Sequence, residues 1–192
     1  MKQKEKKDPP GKIRIKKALT TLLEKNDFQS ITTAQIAKTA EVTEALIYKY
    51  FKDKKDLLYQ VLNDHFLEFQ EKIKVQVAQK KSCIEKLEVI IFSSLESYAA
   101  NRVFARILLL EVRNSPVYFD SCAYDMVREY ARTILEIIEQ GIKTGQLKPG
   151  TDAHLLRRVI LGSIEHACLG EVIFGRALDV EKASQGIINI IF

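Results

Sequence analysis

Residues 43–54 read TEALIYKYFKDK, and their side chains are equipped for recognition rather than catalysis. Leu46, Ile47, Tyr48, Tyr50 and Phe51 are core-forming types, yet Lys49, Lys52 and Lys54 are set among them. On a helix such a segment divides into an anchoring face and a face that can lie on something else. Ala45 and Leu46 suit contact with thymine methyl groups, and the Glu44 carboxylate suits a cytosine N4 amino group. Covalent chemistry has no comparable support. The three histidines are scattered, no nucleophile–base pair stands at a recognised spacing, and no glycine-rich phosphate loop is present. Glu165 and His166 adjoin in an apolar helix, but no third metal ligand follows from their spacing. The chain therefore reads as a non-enzyme, with no cofactor and no metal.

Helices must position these groups. Thr32 or Thr33 is a cap-type residue, and Ile36, Ala37 and Ala40 after it predict a short helix with small packing residues. Glu41, Val42 and Thr43 form the turn, with Val42 plugging it. Thr43 then opens a second short helix over about 44–50, with Ile47 on its inner face. Two short helices joined this way make a helix-turn-helix, whose second helix enters the major groove by its N-terminal residues. The exposed N–H groups at the helix starts, with Thr33 and Thr43, suit phosphate contact. A preceding helix runs from Lys12 to near Asn26 with Ile15, Leu19, Leu22 and Leu23 as its stripe, and Asp53 opens a longer helix to about Ala78.

The stretch ITTAQIAKTAEVTEALIYKYFKDKKDLL, residues 31–58, resembles the DNA-binding signature of the TetR family of bacterial repressors. That signature is a threonine-capped helix with "IA", a turn, a Tyr-rich run ending in Phe, a Lys three residues on, and "LL". The resemblance covers about 13–62. It implies that Thr33 and Thr43 are caps that meet phosphate, and that Glu44, Ala45 and Leu46 start the recognition helix. It further implies that Tyr48 touches or flanks the DNA backbone, that Lys49 and Tyr50 face bases or phosphates, and that Lys54 meets phosphate. Ile36, Ala37, Val42, Ile47 and Phe51 match core positions. Two departures stand out: Asp27 and Glu41 occupy places where the family has glycine, and a non-glycine residue at positive φ is uncommon.

Charge follows the same division. Residues 1–56 hold 14 Lys or Arg and 8 Asp or Glu, a balance of +6; residues 57–192 hold 16 and 17, a balance of −1. An anionic polymer as partner for the first end accounts for this split. No apolar run reaches the roughly 18 residues that span a membrane, and the charged N-terminus is not followed by a signal-peptide core. A cytoplasmic protein is expected. Cys83, Cys122 and Cys168 form no C-x-x-C pattern, and their odd count argues against a disulfide framework.

The remaining segments read as helices over 83–98, 102–113, 124–143, 152–169 and 180–191, with breaks at NSPVYFDS and TGQLKPGTD. No segment alternates like a strand. The fold class expected is all-α, nine or ten helices. A flexible basic arm (1–11) precedes a three-helix DNA-binding domain (12–56) and a larger helical ligand-binding and dimerisation domain (57–192). The resemblance implies a homodimer paired through 124–143 and 152–169, where Leu155, Val159, Gly162, Ser163 and His166 are interface candidates. It also implies a small-molecule inducer, for which Phe66, Phe92, Tyr98, Phe104, Leu108, Glu111, Phe119 and Tyr124 are candidate lining. Two reading heads about one DNA turn apart, roughly 34–36 Å, predict a palindromic double-stranded operator. The expected function is a repressor released by its inducer; a pure protein-interaction bundle, the competing reading, leaves the charge split unexplained.

Overall fold

Proline opens the first helix. Its missing N–H is one the first turn leaves unpaired anyway, and α1 runs Pro10–Leu23, beginning two residues before the expected Lys12. The computed structural model describes residues 8–192, so most of the arm expected over 1–11 lies outside the described residues. Nine α-helices and no strands are found among the described residues. They divide into two units, with the division after Asn63.

The first unit is built on α1, α2 (Thr33–Thr39), α3 (Glu44–Tyr50) and the start of α4 (Lys54–Ala78). Ile15, Leu19, Leu23, Ile36, Ile47 and Phe51 are all but fully buried in it. Leu57, Leu58 and Leu62 of α4 are also buried, which carries this unit past the expected boundary at Asp56. Thr32, rather than Thr33, is the N-cap of α2, in a reciprocal capping box with Gln35. Helix α2 ends in a Schellman motif: Val42 N–H bonds the Ala37 carbonyl and Glu41 N–H bonds that of Lys38. Glu41 takes the left-handed position of that motif, at φ 54°. The turn keeps the geometry glycine favours and accepts strain to do so. Asp27, the other departure, is extended at φ −73° and carries no such strain.

In the second unit, α5 (Cys83–Ala100) is packed by α7 (Cys122–Lys143), α8 (Ala153–Phe174) and α9 (Val180–Ile191). Leu87, Ile90, Ile91 and Leu95 of α5 meet Ile134 and Ile138 of α7 and Ile160, Ile164 and Cys168 of α8 in one core. Helix α7 approaches α5 so closely at Gly141 that a Cβ there would collide with Cys83 Sγ. Side-chain caps open four of these helices: Ser82 for α5, Ser121 for α7, Asp152 for α8 and Asp179 for α9. The helix expected over 102–113 is broken into α6 (Arg102–Arg106), a π turn (Ile107–Glu111) and a 3-10 turn (Val112–Asn114). A further 3-10 turn, Pro116–Asp120, fills the expected break. No helix among the described residues is long and apolar enough to cross a membrane.

Candidate functional site

Helix α3 exposes Thr43, Glu44, Ala45, Tyr48 and Lys49 together, while Ile47 is fully buried beneath them. Thr43 holds the N-cap position without a side-chain cap bond, so its hydroxyl is left for another acceptor. Tyr48 is 57% exposed, a large aromatic ring left mostly uncovered by the described residues. Glu44 is not idle: its Oε2 accepts a 2.7 Å hydrogen bond from the Thr33 hydroxyl, tying the starts of α3 and α2 together. Thr33 therefore belongs to this link, with Thr32 taking the capping role.

Three expected reading residues sit differently. Leu46 and Tyr50 are half-buried and lean on the first turn of α1, where a Cβ at Gly11 would stand 3.1 Å from Leu46 Cδ2 and 3.6 Å from Tyr50. Gly11 thus makes room for Leu46, which holds α3 to α1 as much as it faces outward. Lys54 is engaged within the chain. Its ammonium donates to the carbonyl oxygens of Phe28 (2.9 Å) and Ile31 (2.6 Å), with Gln29 O at 3.4 Å, and lies 4.5 Å from the Phe28 ring centroid. All three of its hydrogens have acceptors, and desolvation lowers its pKa. In this structure it closes the Phe28–Ser30 turn. Near the arm, Lys12 and Lys16 both pair with Asp8, at 3.0 and 2.7 Å.

A cavity of about 60 Å³ lies inside the second unit. Of the residues offered as ligand lining, Phe66, Tyr98, Phe104 and Leu108 stand on its wall. Phe69, Ser94, Ser97, Arg113, Val127, Tyr130, Leu161, Ile164 and Glu165 complete the wall. The other candidates are elsewhere. Phe92 lies on an open, polar groove of about 630 Å³ beside Gln76, Glu88 and Glu181. Phe119 and Tyr124 stack edge-on with Tyr118, at 5.0–5.6 Å. Glu111 pairs with Arg106 Nε at 3.4 Å.

The polar groups of the cavity are few and specific. Arg113 Nη1 and Nη2 donate to the two carboxylate oxygens of Glu165, at 2.8 and 2.6 Å, a bidentate pair left partly exposed at one edge of the space. Glu165 raises the Arg113 pKa through those bonds. The Tyr130 hydroxyl bonds Ser94 Oγ at 2.5 Å, and Ser94 also donates to the Ile90 carbonyl. Burial pushes the Tyr98 hydroxyl well above its ordinary pKa, and the Glu165 charge adds to the rise. Cys168 is likewise pushed up to about 12 by burial, which leaves it an inert thiol. No group of three or more acidic, His or Cys residues fit for a metal occurs among the described residues.

The family model described as "Bacterial regulatory proteins, tetR family" matches residues 15–61. That described as "YsiA-like protein, C-terminal region" matches residues 60–192. The chain belongs to the TetR family. It is a DNA-binding transcriptional regulator and not an enzyme. Among proteins of known role it is similar to the fatty acid metabolism regulator protein of Bacillus subtilis (strain 168), 26% identical over 191 residues that cover 100% of this chain and 96% of that one. Among solved structures it is similar to FadR from Bacillus subtilis in complex with stearoyl-CoA, at TM-score 0.85 and 24% identity over 93% of this chain and 96% of that one. It also shares its fold with AibR in complex with isovaleryl coenzyme A and operator DNA, at TM-score 0.73 and 16% identity over 96% and 98% of the two chains.

On α8, the interface candidates form one outward strip. Leu155 and Val159 are 55% and 42% exposed, Gly162 and His166 are exposed, and Ser163 is half-covered. Ile173 and Phe174 extend the uncovered apolar surface toward the helix end.

Proposed function

We propose that this chain is a cytoplasmic repressor that binds a palindromic operator as a homodimer and is released by an acyl-CoA thioester. The observation that carries the ligand class is the enclosed, mainly apolar cavity with the Arg113–Glu165 pair at its partly exposed edge. Such a space suits an acyl group, and its partly exposed edge, where Arg113 and Glu165 neutralise one another, leaves the polar remainder of the ligand outside it. The relatives are regulators of fatty acid metabolism or are seen with acyl-CoA molecules, which supports the same class.

On the DNA side, Thr43, Ala45, Tyr48 and Lys49 make the reading contacts, with Thr33 and Glu44 fixing the angle between α2 and α3. Leu46 and Tyr50 contribute their outward edges, and Lys54 acts by holding the Phe28–Ile31 carbonyls. The dimer forms through the outward strip of α8, Leu155, Val159, Gly162, Ser163 and His166, together with α7. A ligand weakens operator binding only by its differential affinity for the free and DNA-bound forms.

The ligand class is tested by incubating the purified chain with an equimolar mixture of CoA and acyl-CoA thioesters, followed by native mass spectrometry. One thioester per chain is expected. Retention of CoA alone, or of nothing, would overturn the proposed ligand.

A further inference from the structure

We infer that the cavity selects short acyl groups, and that the Tyr98 hydroxyl donates a hydrogen bond to the ligand's thioester carbonyl. The inference rests on the acyl-CoA reading above and adds the length of the chain and the residue that recognises it.

Volume sets the length. A water-sized group needs roughly 10–15 Å³ of such space, so about 60 Å³ admits about four to six methylene-sized groups. The wall that stops a longer chain is built rather than loose. Tyr130 is tied to Ser94 at 2.5 Å, Ser94 is tied again to the Ile90 carbonyl, and Phe69 packs edge-on against the Tyr130 ring at 5.5 Å. Moving Tyr130 aside to lengthen the space would break a hydrogen bond in a desolvated setting.

Tyr98 supplies the second, independent observation. Tyr98 is half-buried and lines the cavity, and no hydrogen bond of its hydroxyl is found among the described residues, in contrast to Tyr130. A hydroxyl on the cavity wall that no protein group engages is available to an acceptor on the ligand. Glu165 is engaged by Arg113 and is not the acceptor of Tyr98. The phenol is held firmly protonated by burial, so it offers a donor, and the oxygen that an acyl thioester brings into the cavity is its carbonyl.

Calorimetric titration of the full chain with CoA, butyryl-CoA, hexanoyl-CoA, lauroyl-CoA and stearoyl-CoA tests the length. The tightest binding is expected at butyryl- or hexanoyl-CoA, with stearoyl-CoA at least about ten-fold weaker. Stearoyl-CoA binding more tightly than hexanoyl-CoA would overturn the length inference while leaving the acyl-CoA reading intact. No thioester exceeding CoA would overturn that reading itself. Tyr98 is tested with hexanoyl-CoA against its thioether analogue, hexyl-CoA, which lacks the carbonyl. The native chain should prefer the thioester about ten-fold, and Tyr98→Phe should abolish that preference without changing thermal stability appreciably. A preference retained in Tyr98→Phe would refute the assigned hydrogen bond.

Discussion

The Lys54 ammonium lies 2.6 Å from the Ile31 carbonyl, and a second hydrogen bond to Phe28 at 2.9 Å completes a clamp on the turn before α2. The residue that the family resemblance assigns to phosphate thus works on the chain itself. Lys54→Met should lower the stability of the first unit by about 1 kcal/mol, the lower end for bonds from a charged donor because the group is partly solvated. It should leave the slope of log K against log salt unchanged. Lys49→Ala should instead reduce that slope by about one. Urea unfolding and a salt series on bulk DNA read the two effects separately; a slope lowered by Lys54→Met and not by Lys49→Ala would reverse the roles.

Glu41 at φ 54° holds a Schellman position that favours glycine. Glu41→Gly should raise stability by about 0.5–1 kcal/mol, the relief of left-handed strain exceeding the added freedom of the unfolded chain. The urea midpoint measures it, and a lowered midpoint would show that the Glu41 side chain contributes more than its backbone costs.

His65 stacks on Phe104 with ring centroids 3.7 Å apart, and its buried Nε2 has no hydrogen-bond partner. Desolvation lowers its pKa below the ordinary value; Glu68 opposes the shift and Lys72 adds to it. The unfolded chain therefore takes up this proton first as pH falls. The stability that neutral His65 contributes is present above about pH 6.5, the usual imidazole value, and is lost below it. His65→Phe should flatten the fall in melting temperature between about pH 7 and 5. An unchanged acid limb would mean that other groups cause it.

Gly162 faces outward on α8, and a Cβ built there meets nothing within 4 Å. Gly162→Leu should therefore leave the protomer folded, even favouring its helix, yet disrupt a dimer that pairs through this strip. Sedimentation velocity distinguishes the outcomes. A dimer of unchanged strength would move the interface away from α8.

Local spacing made the first unit legible. Ile36, Ala37, Ile47 and Phe51 fall at buried positions because a short helix leaves few alternatives, and α3 and α4 begin where Thr43 and Asp53 suggest. The side chains of that unit were harder to read. Nothing near Leu46 in sequence signals Gly11 across the fold, and nothing near Lys54 signals the carbonyls of Phe28 and Ile31. The cavity follows the same rule. Phe66, Phe104 and Leu108 are visible as apolar residues at helical spacing, whereas Arg113 finds Glu165 at a separation of 52 positions. The π turn over Ile107–Glu111 shifts the helical register, so that Glu111 pairs with Arg106 and does not line the cavity.

One chain should couple operator binding to an acyl-CoA thioester. An operator selected from a random DNA pool, labelled with a fluorophore, allows the direct measurement by anisotropy. Saturating acyl-CoA should weaken operator binding at least about ten-fold, and operator should weaken acyl-CoA binding by the same factor, as linkage requires. Operator affinity that stays the same or tightens with acyl-CoA bound would contradict the account.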